Sequence, residues 1–329
     1  MHSAEFWRTT ESGKIQCELC PHHCVLAEKK TGLCGVRRVV DGRLTAAGYG
    51  LLSSLHNDPI EKKPLYHFHP GSEIFSIGGW GCNFACSFCQ NWQISQAVNA
   101  QAQSFRPDEI IQAARDQHSP GIAYTYNEPL INYEFVRDCA QLARRAGLFN
   151  VLVTNGFVEE KPAADLLPYI DALNIDIKSM DEAFYKQQCR GALAPVLRFA
   201  RQAAEGCHVE ITNLLIPGLN DSEEQVGRLS AWVAANLGRN TPLHLSAYHP
   251  EFKMDLPATP PAVLERALAR CRRDLDYVYI GNVLSSAGQD TLCPQCAGKL
   301  IARQGYAVHI VGISNQACRQ CGRPADVLM

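Results

Sequence analysis

Gly79-Trp-Gly-Cys82-Asn-Phe-Ala-Cys86-Ser-Phe-Cys89-Gln-Asn-Trp92 is the stretch around which the rest of the chain is read. Its cysteines stand at C-x3-C-x2-C spacing, which can supply thiolates to three irons of a cubane [4Fe-4S] cluster. No fourth cysteine lies close by in the sequence, which would leave the last iron open to a ligand. The competing reading is a zinc site or a chance grouping, because clustered cysteines in a reduced compartment are commonly metal sites of some kind. Structural zinc sites use pairs of C-x2-4-C and four ligands, so an isolated triplet fits them poorly.

Outward from this loop, from about Ile74 to about Val283, β-like and helix-like segments alternate. Glu73–Ile77, Gly121–Tyr126, Asn150–Thr154, Ala172–Ile177, His208–Ile216, Leu243–Ala247 and Tyr277–Ile280 read as strands, most of them short runs rich in Val, Ile and Tyr. Between them, Pro107–Arg115 and Glu134–Gly147 carry helical periodicity. The second puts Phe135, Val136, Cys139, Leu142 and Ala143 on one face and ends at a glycine suited to a left-handed cap. Repeated βα units imply a parallel sheet wrapped by helices. Six or so units favour a partial (β/α)6-type barrel with its functional groups at the C-terminal strand ends. An open doubly wound sheet is the alternative, and periodicity does not separate the two.

With 329 residues, of which 46% are hydrophobic, the chain can build one barrel-sized core plus small appendages. A net charge of −2 gives no electrostatic footprint for nucleic acid or an acidic membrane surface. The start Met-His-Ser-Ala-Glu-Phe-Trp-Arg lacks a basic segment followed by an apolar one, and no stretch reaches about 18 uninterrupted apolar residues. A cytoplasmic location is expected. In that compartment fifteen cysteines argue for metal ligation rather than disulfides. Four scattered ones, Cys139, Cys189, Cys207 and Cys271, read as small core residues.

The remaining cysteines sit at the two ends. Cys293-Pro-Gln-Cys296 and Cys318-Arg-Gln-Cys321, flanking an apolar β-like stretch, have the form of a zinc ribbon, which staples a segment too short to build its own core. Cys17, Cys20, Cys24 and Cys34, with His22 and His23 between them, could hold zinc or a second iron–sulfur cluster; zinc is the commoner structural use of four such ligands. The expected organisation is a Cys-rich extension over 1–72, a core over 73–284 and a zinc-ribbon-like module over 285–329. Asp58–Pro70, with Lys62, Lys63, His67 and His69, reads as a polar connector that could also line a substrate mouth.

The cysteine spacing, Phe88 just before the third cysteine and the apolar run Ile74–Ile77 together resemble the radical S-adenosylmethionine (SAM) superfamily. That resemblance implies a partial barrel of the radical SAM type, with an open iron that chelates the amino and carboxylate groups of SAM. One electron then cleaves the sulfonium to methionine and a 5′-deoxyadenosyl radical, which abstracts a hydrogen atom. It also implies contacts at strand ends. Asn127-Glu128-Pro129 stands where a Gly-Gly-Glu-like motif holds the SAM amino group, although Asn and Pro do not replace paired glycines freely. Read from the residues alone, it is also a loop entering a helix with Pro in its first turn. Thr154-Asn155-Gly156 and Asp176-Ile-Lys178 resemble motifs of glycyl-radical-enzyme activases that contact the ribose, the carboxylate or a nearby cation. Asp176 and Lys178, two apart on a strand, face the same way and could equally form a plain salt bridge. Tyr248-His249 resembles the pair whose histidine approaches the SAM ribose, whereas His244 could be a satisfied core histidine. No arginine precedes Ile216-Pro217-Gly218, where activases often carry one; Thr212-Asn213 stands there instead.

The N-terminal cysteines, Asp58–Tyr66, the triplet loop, Tyr124-Thr-Tyr-Asn-Glu-Pro129 and the terminal ribbon together are similar to the radical SAM proteins of the AmmeMemoRadiSam system, which resemble pyruvate formate-lyase activating enzymes. The resemblance implies a low-potential donor such as flavodoxin or ferredoxin, and partnership with Memo-like and AMMECR-like proteins. It names no substrate, since fold and cofactor do not determine which molecule loses hydrogen. Three readings stand: an enzyme acting on a protein or small molecule other than a glycyl radical enzyme, an activase of such an enzyme, and a non-catalytic metal-binding scaffold.

Overall fold

Short β-branched runs such as Val151-Leu-Val153 bury both faces of a strand when helices cover the sheet on one side and side chains fill a barrel on the other. The computed structural model describes residues 2–96, 101–283, 285 and 287–329. Its main sheet contains β1 (Ser54–Pro59), β2 (Glu73–Gly78), β3 (Gly121–Tyr124), β4 (Phe149–Thr154), β5 (Ala172–Asp176), β6 (His208–Leu215), β7 (Leu243–Ala247) and β8 (Val278–Gly281). They lie in sequential order, β2 to β8 parallel and β1 antiparallel on β2. All seven strands read from the sequence are present. β1 is the addition, contributed by a polar run, Ser-Leu-His-Asn-Asp-Pro, that lacks a strand signature.

Six helices make the crossovers: α1 (Pro107–Asp116), α2 (Tyr133–Arg145), α3 (Glu160–Leu166), α4 (Leu193–Ala204), α5 (Glu223–Asn236) and α6 (Pro261–Cys271). In α2 the 3.6-residue period buries Phe135, Val136, Cys139 and Ala143, and each large apolar side chain removed from water contributes about 1.5 to 3 kcal/mol. The helix stops where Gly147 takes a φ of +74°. Ser222 begins α5 by accepting the Gln225 N–H at 3.2 Å. The result is a partial α/β barrel with a four-cysteine module at its C-terminal end. The expected boundary at 284 falls on a residue outside the described ones.

Residues 60–69 cross the barrel and tie its interior to the C-terminal module. Asn174 of β5 donates to the Pro64 carbonyl at 2.7 Å. Glu210 of β6 accepts the Tyr66 and His67 N–H groups at 3.0 and 2.7 Å. Arg303, from the hairpin Lys299–Gln304 and Ala307–Ile310, donates to the Tyr66 carbonyl at 2.7 Å and lies 4.3 Å over the Tyr66 ring. That hairpin has a small core of Leu300, Ile301, Ile313 and Val327, packed with its four cysteines. No helix among the described residues is long and apolar enough to cross a membrane.

Candidate active site in the barrel mouth

Parallel register brings the C-terminal ends of the strands level: Thr154 pairs with Ile175, Asp176 with Thr212, and Leu214 with Ser246. The loops leaving those ends enclose a cavity of about 460 Å³, ample for a small-molecule cofactor. Cys82, Cys86 and Cys89 line one wall, and Asn127, Glu128, Thr154, Asn155, Asp176 and Lys178 line the strand-end side.

The triplet loop is held from three directions. Gly81 takes a φ of +82°, and a Cβ there would meet the Cys34 carbonyl at 2.2 Å, so only glycine fits. Asn127 accepts the Gly79 N–H at 3.0 Å and donates to the Gly81 carbonyl at 3.1 Å, which commits its amide to the loop backbone. On the far side Ala85 donates to the Cys189 carbonyl at 2.8 Å and Ser87 to that of Gln188 at 2.9 Å. Cys189 ends a π turn, Tyr185–Cys189, a local departure from α geometry of the kind that clusters at functional sites.

Cys189 is buried in the core, as its reading from the sequence expects, and lies near Cys86. A fourth cysteine therefore does come near the triplet, from a hundred residues away in the chain.

The triplet sulfurs have donors beside them. Phe84 N–H reaches Cys82 Sγ at 3.3 Å, the Asn155 amide reaches it at 3.6 Å, and Ser95 Oγ lies 3.0 Å from Cys89 Sγ. Among the described residues the three thiols are not gathered within 4.8 Å of one another, as the four C-terminal ones are.

Glu128 joins two strand ends. Its Oε1 accepts the Leu130 N–H at 2.9 Å, capping the 3-10 turn Pro129–Asn132, and the Thr154 hydroxyl at 2.7 Å. Its Oε2 accepts the Asn155 N–H at 2.8 Å. Asn-Glu-Pro is thus a helix entry, and Asn127 and Glu128 also line the cavity. Burial pushes the Glu128 carboxyl up to about 7 despite those hydrogen bonds, and Asp176 adds to the shift. Asp176 and Lys178 pair at 2.8 Å; burial opposes the lysine's charge, and Asp176 more than offsets it, raising the ammonium above its ordinary value.

His249 is not brought into the cavity wall. It lies exposed, 3.0 Å from the Asn282 carbonyl, and Asn282 lines the cavity in its place. His244 is buried against Glu210 at 2.6 Å. Four residues not singled out as SAM contacts also line the cavity: Asn174, Thr212, Ser246 and Tyr306. The Thr212 hydroxyl is buried and has no hydrogen-bond partner among the described residues. The period of two along β5 and β6 was the available signal, since it puts Asn174 beside Asp176 and aligns Thr212 with Glu210 and Leu214. Tyr306 had no such signal, because it arrives from the C-terminal hairpin.

Lys62 and Lys63 of the connector line the same mouth. Asp58 receives Lys62 at 2.8 Å, Lys63 at 2.6 Å and the Tyr126 hydroxyl, which overcome its burial and hold it well below the usual carboxylate range. Burial pulls Lys63 down to about 8, against the pull of Asp58. Tyr126 itself has a φ of +70°, a strained value immediately before Asn127 and Glu128.

At the C-terminal end, Cys293 lies 3.6 Å from Cys321 and Cys296 lies 3.7 Å from Cys318, with all four sulfurs within 4.8 Å of one another. Such a closed set could hold one tetrahedral metal ion.

Residues 77–229 match the Radical SAM superfamily. Over 100% of both chains the protein is 41% identical to an uncharacterized protein of Methanocaldococcus jannaschii. It is 24% identical over 176 residues to the pyruvate formate-lyase 1-activating enzyme of Escherichia coli, covering 51% of this chain and 71% of that enzyme. Among solved structures, a domain of a pyruvate-formate lyase-activating enzyme from Bacteroides vulgatus aligns with a TM-score of 0.44 and 23% identity, over 49% of this chain and 99% of that one. With its barrel, its cysteine triplet and the superfamily match over residues 77–229, the chain belongs to the radical SAM superfamily, and over 51% of its length it is similar to a pyruvate formate-lyase activating enzyme.

Proposed function

We propose that SAM binds in the barrel-mouth cavity against a cluster held by Cys82, Cys86 and Cys89, and that the hydrogen donor is a partner protein or small molecule other than a glycyl radical enzyme. The observation that carries this reading is the meeting of the triplet, Glu128 and the partnerless Thr212 hydroxyl on one cavity. When bound, the cluster supplies one electron for reductive cleavage of the SAM sulfonium.

Glu128 is the acceptor for the SAM amino group, with Thr154 and Asn155 orienting its carboxylate. Asn127 acts on the triplet loop rather than on SAM directly. In this reading Thr212, Asp176 and Lys178, which line the cavity, meet the ribose and carboxylate, and His249 acts through Asn282. Lys62, Lys63 and Tyr306 form the opposite rim, where substrate enters. The four C-terminal thiolates hold zinc, whose Zn–S bonds of about 2.3 Å put tetrahedral sulfurs about 3.8 Å apart.

The substrate preference follows from the rim. Two of the three groups there come from the connector and one from the C-terminal module, both outside the stretch 77–229 that matches the superfamily. We place the protein in the AmmeMemoRadiSam branch, with modules at 1–72, 73–284 and 285–329, a flavodoxin or ferredoxin as donor, and Memo-like and AMMECR-like partners in the cytoplasm. The similarity to activating enzymes keeps a second reading, hydrogen abstraction from a glycyl radical enzyme.

Anaerobic reconstitution with iron and sulfide, followed by reduction with SAM, should yield 5′-deoxyadenosine with wild type and none with Cys86→Ala. SAM that neither binds nor is cleaved by a fully loaded, reduced wild type would overturn the reading.

A further inference from the structure

The chain has two sets of four cysteines, and the same residue type is arranged in two geometries. The C-terminal sulfurs close to 3.6 and 3.7 Å, near the separation of about 3.8 Å set by tetrahedral zinc–sulfur bonds. The N-terminal set does not close in this way: among the described residues, no three of its thiols and neighbouring His rings gather within 4.8 Å. They are nonetheless neighbours: the Cys17 N–H donates to the Cys24 carbonyl at 3.0 Å across a hairpin, and Cys24 Sγ lies 3.7 Å from where a Cβ on Gly32, two residues before Cys34, would sit. This open spacing is shared with Cys82, Cys86 and Cys89, not with the ribbon.

The surroundings are built for an anionic multi-iron group. The backbone N–H groups two residues ahead, of Leu19, His22 and Val36, face Cys17, Cys20 and Cys34. At the triplet the equivalent group, Phe84 N–H, donates to Cys82 Sγ at 3.3 Å. Arg37, 1% exposed, directs its terminal nitrogens to Glu134 and the Glu5 carbonyl, leaving a buried Nε–H without a partner beside Cys17. The histidines of the motif point elsewhere: His22 Nε2 meets the Asn83 carbonyl at 2.7 Å and His23 Nε2 meets Glu159 at 3.0 Å.

We propose that Cys17, Cys20, Cys24 and Cys34 hold a second [4Fe-4S] cluster, ligated entirely by protein and packed against the triplet loop. The Cys34 carbonyl sits on Gly81 and His22 on Asn83, so the module touches the chain on both sides of Cys82. With four cysteines the cluster has no open iron for SAM. This assignment does not depend on SAM binding in the barrel.

The test uses the full chain purified anaerobically and assayed for iron, acid-labile sulfide and zinc, with electron paramagnetic resonance after dithionite reduction. Wild type should carry about eight irons, and the variant C82A/C86A/C89A should retain about four irons and four sulfides. The variant's reduced signal should be unchanged by SAM. The converse variant C20A/C24A guards against misfolding of the first: it should keep about four irons, with a signal that SAM alters. Zinc should stay at about one per chain throughout. An iron-free triple variant carrying about two zincs, or a C20A/C24A variant with the full wild-type iron content, would overturn the proposal. Failure of SAM binding would appear separately, as a wild-type signal indifferent to SAM with the iron counts intact.

Discussion

Glu128 and Glu210 are both almost fully buried in the same barrel, and their surroundings drive them in opposite directions. Glu210 meets His208 at 3.0 Å, His244 at 2.6 Å and two backbone N–H groups. Burial opposes its charge, but the two histidines prevail and hold it well below the ordinary carboxylate range. Glu128 accepts three hydrogen bonds from neutral donors, and burial raises it to about 7. Among the described residues no cationic side chain forms an ion pair with Glu128. At Glu128 the neutral hydrogen bonds do not compensate the burial of a charge, whereas at Glu210 the two histidine partners outweigh it. Glu210 is thus a completed framework joint, and Glu128 faces a cavity with its demand for a positive partner unmet.

The contrast can be broken most severely at the framework joint. Glu210→Ala should lower stability by about 3 to 5 kcal/mol in urea denaturation, because it strands the histidines and two N–H groups inside the barrel. A loss under about 1 kcal/mol would mean the network is idle. Next comes pH. Glu128, raised from 4.5 to about 7, favours the folded state below pH 4.5, and that contribution disappears as pH rises through 7. Its worth is about 3 kcal/mol at most, read as the difference in slope between wild type and Glu128→Gln. Glu210, being depressed, contributes above its ordinary value near 4.5, and that stability is lost only on acidification.

Smaller effects sharpen the functional half. Glu128→Gln should weaken SAM binding by about 30- to 150-fold, the value of a charge-assisted hydrogen bond of about 2 to 3 kcal/mol, measured by equilibrium binding to cluster-loaded protein. Thr212→Val removes a neutral hydroxyl and should cost about fivefold, or about 1 kcal/mol, in the same assay. Unchanged affinity in Thr212→Val would show that the orphaned hydroxyl does not meet SAM.

Much of the barrel was legible because its strands are short β-branched runs and its helices carry a clean 3.6-residue period, as α2 does with Phe135, Val136, Cys139 and Ala143. The triplet and Glu128 were legible because each sits in a compact local motif. What escaped has long sequence separation or the wrong polarity. β1 is a polar run that becomes a strand only through pairing with β2. Cys189 comes near Cys86 by the detour of a π turn, and Tyr306 enters the mouth from another module. Glu210, in the middle of a strand, was a visible anomaly, but its partners His244, Tyr66 and His67 lie on two other segments. The geometry of the two cysteine quartets was beyond spacing alone, since C-x2-C occurs in both.

The most direct test of the idea that Glu128 awaits SAM is SAM binding by cluster-loaded wild type and Glu128→Gln at pH 6 and pH 8. SAM's own ionisation affects both proteins alike, so the ratio of their affinities isolates the carboxyl. That ratio should grow about tenfold in favour of wild type between the two pH values, as a group titrating near 7 becomes ionised. A ratio that stays flat near one would contradict it and make Glu128 a second framework joint like Glu210.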